Sequence, residues 1–225
     1  LTETSPVIAV NHLSRPNSLL IGTVGPVIEG VEVKIDEDGE ILVKGDNIMK
    51  GYYKDPETTA SVIDNQGWFH TGDIGTLLHN RFLKITDRKK EMFKTSSGKY
   101  IAPQAIENML KESNFIEQVM VVGENEKFAS ALVLPNFEYL HVWANDHRIH
   151  FRDNMELISL PKVQQRYQKE MDHYNKQLGK YEQIKRFRLV FEAWTAQTGE
   201  LSPTLKLKRR VLYKKYANIL REIYS

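Results

Sequence analysis

The sequence predicts an α+β protein in two parts, a β-rich first part followed by a small mixed α/β part. Short segments with alternating apolar and polar residues, punctuated by glycines, fill the first part, whereas strands and helices interleave after residue 87. The charge changes sign at the same point: residues 1–87 carry 7 basic and 13 acidic side chains, and residues 88–225 carry 24 and 16. The basic second part is therefore expected to favour polyanionic partners.

The composition excludes several classes of protein. Hydrophobic residues make up 41% and charged residues 27% of the 225, which is typical of a globular chain rather than a disordered one. Cysteine is absent, so disulfide frameworks, thiolate metal sites and cysteine nucleophiles are excluded. No apolar run approaches the roughly 20 residues that a transmembrane helix needs. His147 and His150 have no third ligand at a matching spacing, so a zinc site is not predicted.

The first part contains a predicted hairpin and a predicted helix start. Residues 31–35 and 40–44 alternate with period two, and the turn-forming residues 36–39 join them. Asp55 is a predicted N-cap, because Pro56 suits the first position of a helix.

The second part is predicted to alternate between strands and helices. Pro103 begins a helix, residues 118–122 and 129–134 are predicted buried strands, and residues 186–191 alternate like a half-buried strand. Further helices are predicted over 137–148, over 161–178, and from Leu205 to Tyr224 at the end of the chain.

Two segments, one in the first part and one at the boundary between the parts, have residues that could bind a ligand or form a linker. Asp73 follows a glycine in the segment 68–73, and one carboxylate can accept from both hydroxyls of a ribose; the alternative is a carboxylate that caps a turn. The charged segment 87–91 lies where the charge reverses, which favours a linker, although such a run is more often a solvated surface.

Two segments of the second part also stand out. Residues 94–100 form a small polar loop with flanking lysines that could approach a phosphate or a narrow ligand closely, and a plain hairpin loop is the alternative. In residues 198–210, turn-forming residues precede a basic helix, and lysines lie at the junction. A lysine at such a junction can extend as a mobile charge. The alternative is a basic helix end that only increases solubility.

These four segments, in this order, resemble those of the AMP-forming adenylating enzymes, the superfamily of acyl-CoA synthetases, luciferase and peptide-synthetase adenylation domains. Seven stretches are most similar to bacterial long-chain fatty acid–CoA ligases and run nearly end to end. They are LTETSP, GTVGPVIEGVEVKI, GEILVKGDNIMKGYYKDPETT, GWFHTGDIG, DRKKEMFKTSSGKYIAP, KYEQIKRFRLVFE and GELSPTLKLKRR.

The resemblance implies a division into domains. Residues 1–87 correspond to the β-rich C-terminal part of the large AMP-binding domain, residues 88–91 to a hinge, and residues 92–225 to a mobile α/β C-terminal domain. The family's phosphate loop and most of its acyl pocket precede the first of these motifs. We therefore expect this chain to be the last portion of a longer enzyme, to need the upstream part of its own N-terminal domain as a partner, and to be inactive alone.

The resemblance also implies roles for residues of the first part and the hinge. Thr2 and Glu3 match the motif beside the ATP phosphates, where the glutamate holds Mg²⁺. Asp73 and Arg88 match the two residues that reach the ribose. Lys90 matches the hinge residue, although the adjacent Lys89 is a second candidate.

Two roles fall in the second part. Gly98 matches the loop that lines the passage for the pantetheine arm of CoA. Here the family's usual Gly-Gly-Lys reads Ser97-Gly98-Lys99. Lys206 matches the lysine of the adenylation step, because a Lys-x-x-Arg-Arg ending follows from it.

The implied activity is that of an acid–thiol ligase that joins a fatty acid to CoA with ATP and Mg²⁺. The implied location is the cytoplasm, with peripheral contact at the inner membrane face left open. Two alternatives remain: an adenylating relative that releases acyl-AMP or loads a carrier protein, and a basic module whose last helix binds nucleic acid. We expect no nucleic-acid partner, because the aromatic residues of a stacking platform are missing and because Leu205, Leu207, Val211 and Leu212 of the last helix have core character.

Overall fold

The structure, a computed structural model, describes all 225 residues and contains two compact units, Leu1–Glu91 and Met92–Ser225, called unit 1 and unit 2 below. The boundary between the units follows the segment 88–91, for which a hinge is predicted. No helix in either unit combines the length and the apolar character that crossing a membrane requires.

Unit 1 is built on one five-stranded antiparallel sheet. Its strands are β1 (Gly25–Pro26), β2 (Val31–Ile35), β3 (Glu40–Gly45), β4 (Phe69–Leu78) and β5 (Phe82–Arg88), in the spatial order β1-β5-β4-β3-β2. A short 3₁₀ helix (Thr2–Thr4) and the helix α1 (Pro56–Val62) accompany the sheet. Its small core contains Ile41, Val43 and Leu83.

The predicted hairpin and helix start of unit 1 are confirmed. β2 pairs with β3 antiparallel, with Val33 opposite Val43, and Gly39 has the positive φ of 88° that the connecting turn requires. Asp55 is the N-cap of α1, since its carboxylate accepts from the Thr58 N–H at 3.0 Å.

Unit 2 mixes strands and helices along the chain, so the predicted α+β class is confirmed. The strands are β6 (Phe93–Lys94), β7 (Tyr100–Ile101), β8 (Ile116–Val122), β9 (Ser130–Pro135) and β10 (Arg186–Leu189). The helices are α2 (Pro103–Leu110), α3 (Phe137–Asp146), α4 (Asn154–Ser159), α5 (Pro161–Asn175), α6 (Arg209–Lys215) and α7 (Ala217–Tyr224).

The three-stranded sheet of unit 2 is buried on both faces. Its order is β10-β9-β8, with β9 parallel to β10 and antiparallel to β8. Val119 and Val121 point into a cluster shared with α2, α3 and α5, whereas Met120 and Val122 point into a second cluster shared with α6 and α7. This explains why β8 and β9 are continuously apolar rather than alternating.

Two boundaries of unit 2 differ from the prediction. The helix predicted over 161–178 ends at Asn175. The closing helix predicted from Leu205 begins only at Arg209 and is interrupted at Tyr216. The reason for the late start is that residues 201–208 fold back on themselves, as described below, and use backbone groups that a helix would need. The short helix α4 was not predicted.

Candidate functional site

A cavity of about 800 Å³ in unit 1 gathers four of the predicted site residues. Thr2, Glu3, Arg88 and Lys90 all line it. The other lining residues are Leu1, Glu40, Tyr52, Ser61, Val62, Phe69, His70, Thr71, Gly72, Lys89 and Glu91. The cavity is therefore bordered by the start of the chain, by the β3–β4 edge and by the end of β5.

Glu3 is held at the wall of this cavity by two contacts from one neighbouring segment. The Tyr52 hydroxyl donates to Glu3 Oε1 at 3.1 Å, and the Met49 N–H donates to the Glu3 carbonyl at 2.8 Å. Partial desolvation together with the hydrogen bond to the Glu3 carboxylate raises the pKa of Tyr52, so this hydroxyl stays a donor.

The structure contains no group of three or more His, Asp or Glu side chains that could hold a metal ion. Glu3 could therefore supply only one carboxylate ligand to Mg²⁺, and phosphate and water oxygens would have to supply the others, as is common for this ion beside nucleotides.

Asp73 and Arg88 lie opposite each other on β4 and β5 and form an ion pair, with Arg88 Nε 3.1 Å from Asp73 Oδ1. Asp73 is buried, whereas the arginine side chain is 51% exposed. Asp73 lies within the strand β4 rather than in a turn, which argues against the alternative of a turn-capping carboxylate. It borders a smaller cavity of about 280 Å³ rather than the 800 Å³ one, and Thr71 lines both.

A buried carboxylate that the sequence did not reveal organises this corner of unit 1. Glu40 accepts from the Gly72 N–H at 2.9 Å and from Lys89 Nζ at 2.7 Å, and it contacts His70 Nδ1 at 3.1 Å. Burial opposes ionisation of Glu40, but the hydrogen bonds from Lys89 and His70 outweigh it and hold the pKa of the carboxyl below its usual value. One side chain thus links Gly72 of β4, directly before Asp73, to Lys89, directly after β5.

The two candidates for the hinge residue differ in how they are held. Lys89 donates its backbone N–H to Gly72 O at 2.8 Å, and its ammonium lies 2.6 Å from Asp38 Oδ2. Hydrogen bonds from the ammonium to Asp38 and Glu40 raise the pKa of Lys89, so it stays charged. Lys90 is exposed, without a hydrogen bond or ion pair from its side chain. Because Lys89 is anchored and Lys90 is not, Lys90 is the better candidate for the hinge residue. That the chain pivots there stays a prediction.

In unit 2, Gly98 lies in the loop between β6 and β7. Its φ is 79°, and an added Cβ would meet only Lys94 Cε at 3.6 Å, so backbone conformation rather than space favours glycine. The buried Thr95 holds the loop from inside, since Thr95 O accepts from the Gly98 N–H at 2.9 Å. The loop therefore has a fixed base and an exposed tip.

Lys206 is exposed, and its side chain makes no hydrogen bond or ion pair. It lies before α6, in a segment that is not helical and in which Leu207 pairs with Leu201 through an isolated β-bridge. Two basic side chains of the same region, Arg209 and Lys215, are engaged in ion pairs with glutamates, so they are not free to form the anion-binding face that the nucleic-acid alternative needs.

Comparison with known proteins identifies a family for the chain. The profile of the AMP-binding enzyme C-terminal domain matches residues 90–225. The chain is 35% identical over 226 residues to a putative fatty-acid–CoA ligase of Mycobacterium tuberculosis, covering all of this chain and 39% of that protein. It is 40% identical over 218 residues to long-chain-fatty-acid–CoA ligase 1 of Homo sapiens, covering 95% of this chain and 31% of that protein.

A solved structure gives the same result. The A domain of a carboxylic acid reductase from Segniliparus rugosus, in complex with AMP and a co-purified carboxylic acid, superposes with a TM-score of 0.66 at 26% identity, over 88% of this chain and 32% of that one. The chain thus spans about two fifths or less of these proteins. The resemblance found in the sequence is confirmed: the chain belongs to the AMP-binding enzyme family, whose C-terminal domain is formed here by residues 90–225.

Proposed function

We propose that this chain is the C-terminal portion of an AMP-forming long-chain fatty acid–CoA ligase, with a fatty acid, ATP and CoA as substrates. The observation that carries the proposal is the unit 1 cavity, which gathers Thr2, Glu3 and Arg88, with Asp73 paired to Arg88. Similarity to fatty-acid–CoA ligases over the full length of the chain supports the choice of substrates.

The nucleotide would be held through its sugar and its phosphates. The Asp73 carboxylate accepts from both ribose hydroxyls, and the half-exposed Arg88 fixes that carboxylate while its free N–H groups reach the same sugar. Glu3 and Thr2 face the phosphates. Mg²⁺, when bound at Glu3, neutralises phosphate charge.

In the first half-reaction a carboxylate oxygen attacks the α-phosphorus of ATP, and the bond from this phosphorus to pyrophosphate breaks. The chain offers no covalent help, so positioned cations must stabilise the charge that develops. We assign this task to the ammonium of Lys206, because Lys206 matches the adenylation lysine of the resembling family. Its side chain is exposed and not neutralised by any partner.

In the second half-reaction the CoA sulfur attacks the acyl carbon, the bond to AMP breaks, and the thiol proton passes to solvent. A lysine at the reacting phosphate would obstruct the thiol, so Lys206 must withdraw. We assign this step to rotation of the C-terminal domain about Lys90, which brings the Gly98 loop to the path of the pantetheine arm.

The test is Lys206→Ala in the complete enzyme. ATP–pyrophosphate exchange should fall about 100- to 1000-fold, while thioester formation from supplied acyl-adenylate is retained. Lys208→Ala, two residues away and equally exposed, is the matched control and should leave both rates unchanged. Equal loss of both half-reactions in Lys206→Ala would refute the assignment. The 225 residues alone should show negligible exchange.

A second candidate acceptor is the thiol of a carrier protein, because one structural neighbour is an A-PCP didomain of a carboxylic acid reductase, at 27% identity and a TM-score of 0.65. AMP release that depends on CoA supports the ligase, whereas release that depends only on a carrier protein with a free thiol supports the alternative. We place the enzyme in the cytoplasm, and co-sedimentation with lipid vesicles tests peripheral membrane contact.

A further inference from the structure

Lys206 lies on a tight loop, residues 201–208, that is closed by backbone hydrogen bonds. Leu201 and Leu207 form an isolated β-bridge. The Ser202 N–H donates to the Lys206 carbonyl at 2.8 Å, and the Lys206 N–H donates to Ser202 Oγ at 3.1 Å. Leu205 has a φ of 59° at the tip of the loop, a conformation that a leucine adopts only when its surroundings impose it. The loop is therefore a defined structure rather than a free linker.

The C-terminal end of this loop is fixed by a buried ion pair. Arg209, the first residue of α6, donates from Nη2 to Glu107 Oε2 at 2.7 Å and from Nη1 to the Val121 carbonyl at 3.2 Å. The other oxygen of Glu107 accepts from the Val121 N–H at 2.7 Å. Glu107 is 4% exposed, so α2, β8 and α6 meet at one desolvated carboxylate. Charge-assisted bonds of this kind are shorter and stronger than neutral ones.

The N-terminal end is fixed by a second buried carboxylate. Glu200 accepts from Lys215 Nζ at 2.8 Å and from the Thr198 hydroxyl, and its carbonyl accepts from the Lys208 N–H at 2.8 Å. Burial opposes ionisation, but the hydrogen bonds from Lys215 and Thr198 outweigh it and lower the pKa of Glu200 to about 2. Both ends of the loop are thus tied to the packed part of unit 2.

The Lys206 side chain has no such tie, so only the backbone of the loop determines where its ammonium can reach. An error of about 1 Å in a catalytic group can cost on the order of 100-fold in rate. A loop whose base shifts would therefore misplace the ammonium even though Lys206 itself is intact.

We infer that Glu107 is a positioning residue for the adenylation step, acting through Arg209 to fix the loop that carries Lys206. This inference rests on the proposed role of Lys206. Glu107 acts without touching the substrate, and its contribution is expected only in the half-reaction that uses Lys206.

The test is a double-mutant cycle in the complete enzyme with Glu107→Gln, Lys206→Ala and the pair. Glutamine keeps the acceptor for the Val121 N–H but removes the charge opposite Arg209. We expect Glu107→Gln to lower kcat for adenylation about 10- to 100-fold with an unchanged KM for ATP. Thioester formation from supplied acyl-adenylate should be unchanged, and Glu107→Gln should have no further effect once Lys206 is alanine. Glu112→Gln, an exposed glutamate two residues beyond the same helix, is the control.

Each other outcome overturns a specific claim. Loss in both half-reactions, or a further loss in the Lys206→Ala background, would mean that Glu107 only stabilises the fold. Normal adenylation in Glu107→Gln together with loss in Lys206→Ala would overturn the positioning role alone. Normal adenylation in Lys206→Ala would overturn the proposed role of Lys206 and this inference with it. If Glu107→Gln does not fold, Arg209→Lys replaces it in the test. Lysine keeps the positive charge but cannot donate to both Glu107 and the Val121 carbonyl as the guanidinium does, so adenylation alone should be lowered in this variant as well.

Discussion

The candidate functional groups of the two units are held in opposite ways. In unit 1 the side chains that we assign to the nucleotide are themselves paired, since Asp73 is bonded to Arg88 and Glu3 to Tyr52. In unit 2 the groups that we assign to the two half-reactions, Lys206 and Gly98, are exposed, while their neighbours are fixed.

This difference corresponds to two physical tasks. A group that binds the same ligand throughout a reaction gains from being oriented in advance, because no ordering entropy is then lost on binding. A group that must arrive for one step and leave for the next cannot be bonded in its resting place without slowing its departure. Its supports can be rigid, however, and Glu107 and Glu200 provide that rigidity on either side of Lys206.

Among changes to the paired side chains of unit 1, Asp73→Asn should have the largest effect on ATP binding. The amide offers one acceptor oxygen instead of two and turns a donor toward the ribose or Arg88, so two charge-assisted hydrogen bonds are weakened. ATP binding by the complete enzyme should weaken about 100-fold, measured as KM in pyrophosphate exchange and as Kd by calorimetry. Glu37→Gln, at an exposed residue of the β2–β3 turn, is the control. Unchanged ATP affinity would remove Asp73 from the site.

Lys90→Pro tests the junction that lies next to the anchored Lys89. Proline fixes φ near −65°, so rotation there is restricted and thioester formation should slow on the order of tenfold, with adenylation less affected. Lys90→Ala removes the same side chain but keeps the backbone free, and it should behave like the wild type. A second half-reaction as fast in the proline variant as in the wild type would show that the pivot lies elsewhere.

Local sequence patterns predicted the elements that depend on near neighbours. The β2–β3 hairpin, the cap of α1 and the buried strands β8 and β9 follow from periodicity and turn chemistry within a few residues. The start of α6 was predicted four residues too early, because hydrogen bonds of residues 201–208 with one another compete with helical ones, and their basic and apolar side chains suit a helix equally well.

The supporting carboxylates could not be predicted, because their partners are distant in sequence. Glu40 meets Lys89 across 49 residues, and Glu107 meets Arg209 across 102. In isolation each is a charged residue in a strand or helix, a pattern that indicates exposure. The assigned groups Asp73, Arg88 and Lys206 were found only through the resemblance of their motifs to the adenylating enzymes.

Glu40→Gln should destabilise unit 1 without touching the reacting groups. Lys89 would lose one of its two carboxylate partners, and the amide cannot accept from Gly72, His70 and Lys89 at once. The free energy of unfolding should fall by about 1–3 kcal/mol. Urea unfolding of the 225-residue chain measures this, with Trp143→Phe and Trp194→Phe in every variant so that the fluorescence of Trp68 is the probe of unit 1. Asp38→Asn removes the half-exposed partner of the same lysine and should cost less than about 1 kcal/mol. Equal effects of the two variants would contradict the special role of the buried carboxylate.

The smallest effect concerns acid stability of the loop support in unit 2. The pKa of Glu200 is lowered from its usual 4.5 to about 2 in the folded protein, so its ionised form stabilises the fold above about pH 4.5. That contribution should be lost progressively as the pH falls from about 4.5 to about 2, because protonation then becomes coupled to unfolding. The stability difference between wild type and Glu200→Gln should accordingly shrink over this range, measured by urea unfolding with Trp194 fluorescence. Glu192→Gln removes a half-exposed partner of the same Lys215 and is the control. If the stability difference between wild type and Glu200→Gln stays constant between pH 5 and pH 3, Lys215 does not hold Glu200 in its ionised form. Packing rather than charge would then fix the N-terminal end of the loop that carries Lys206.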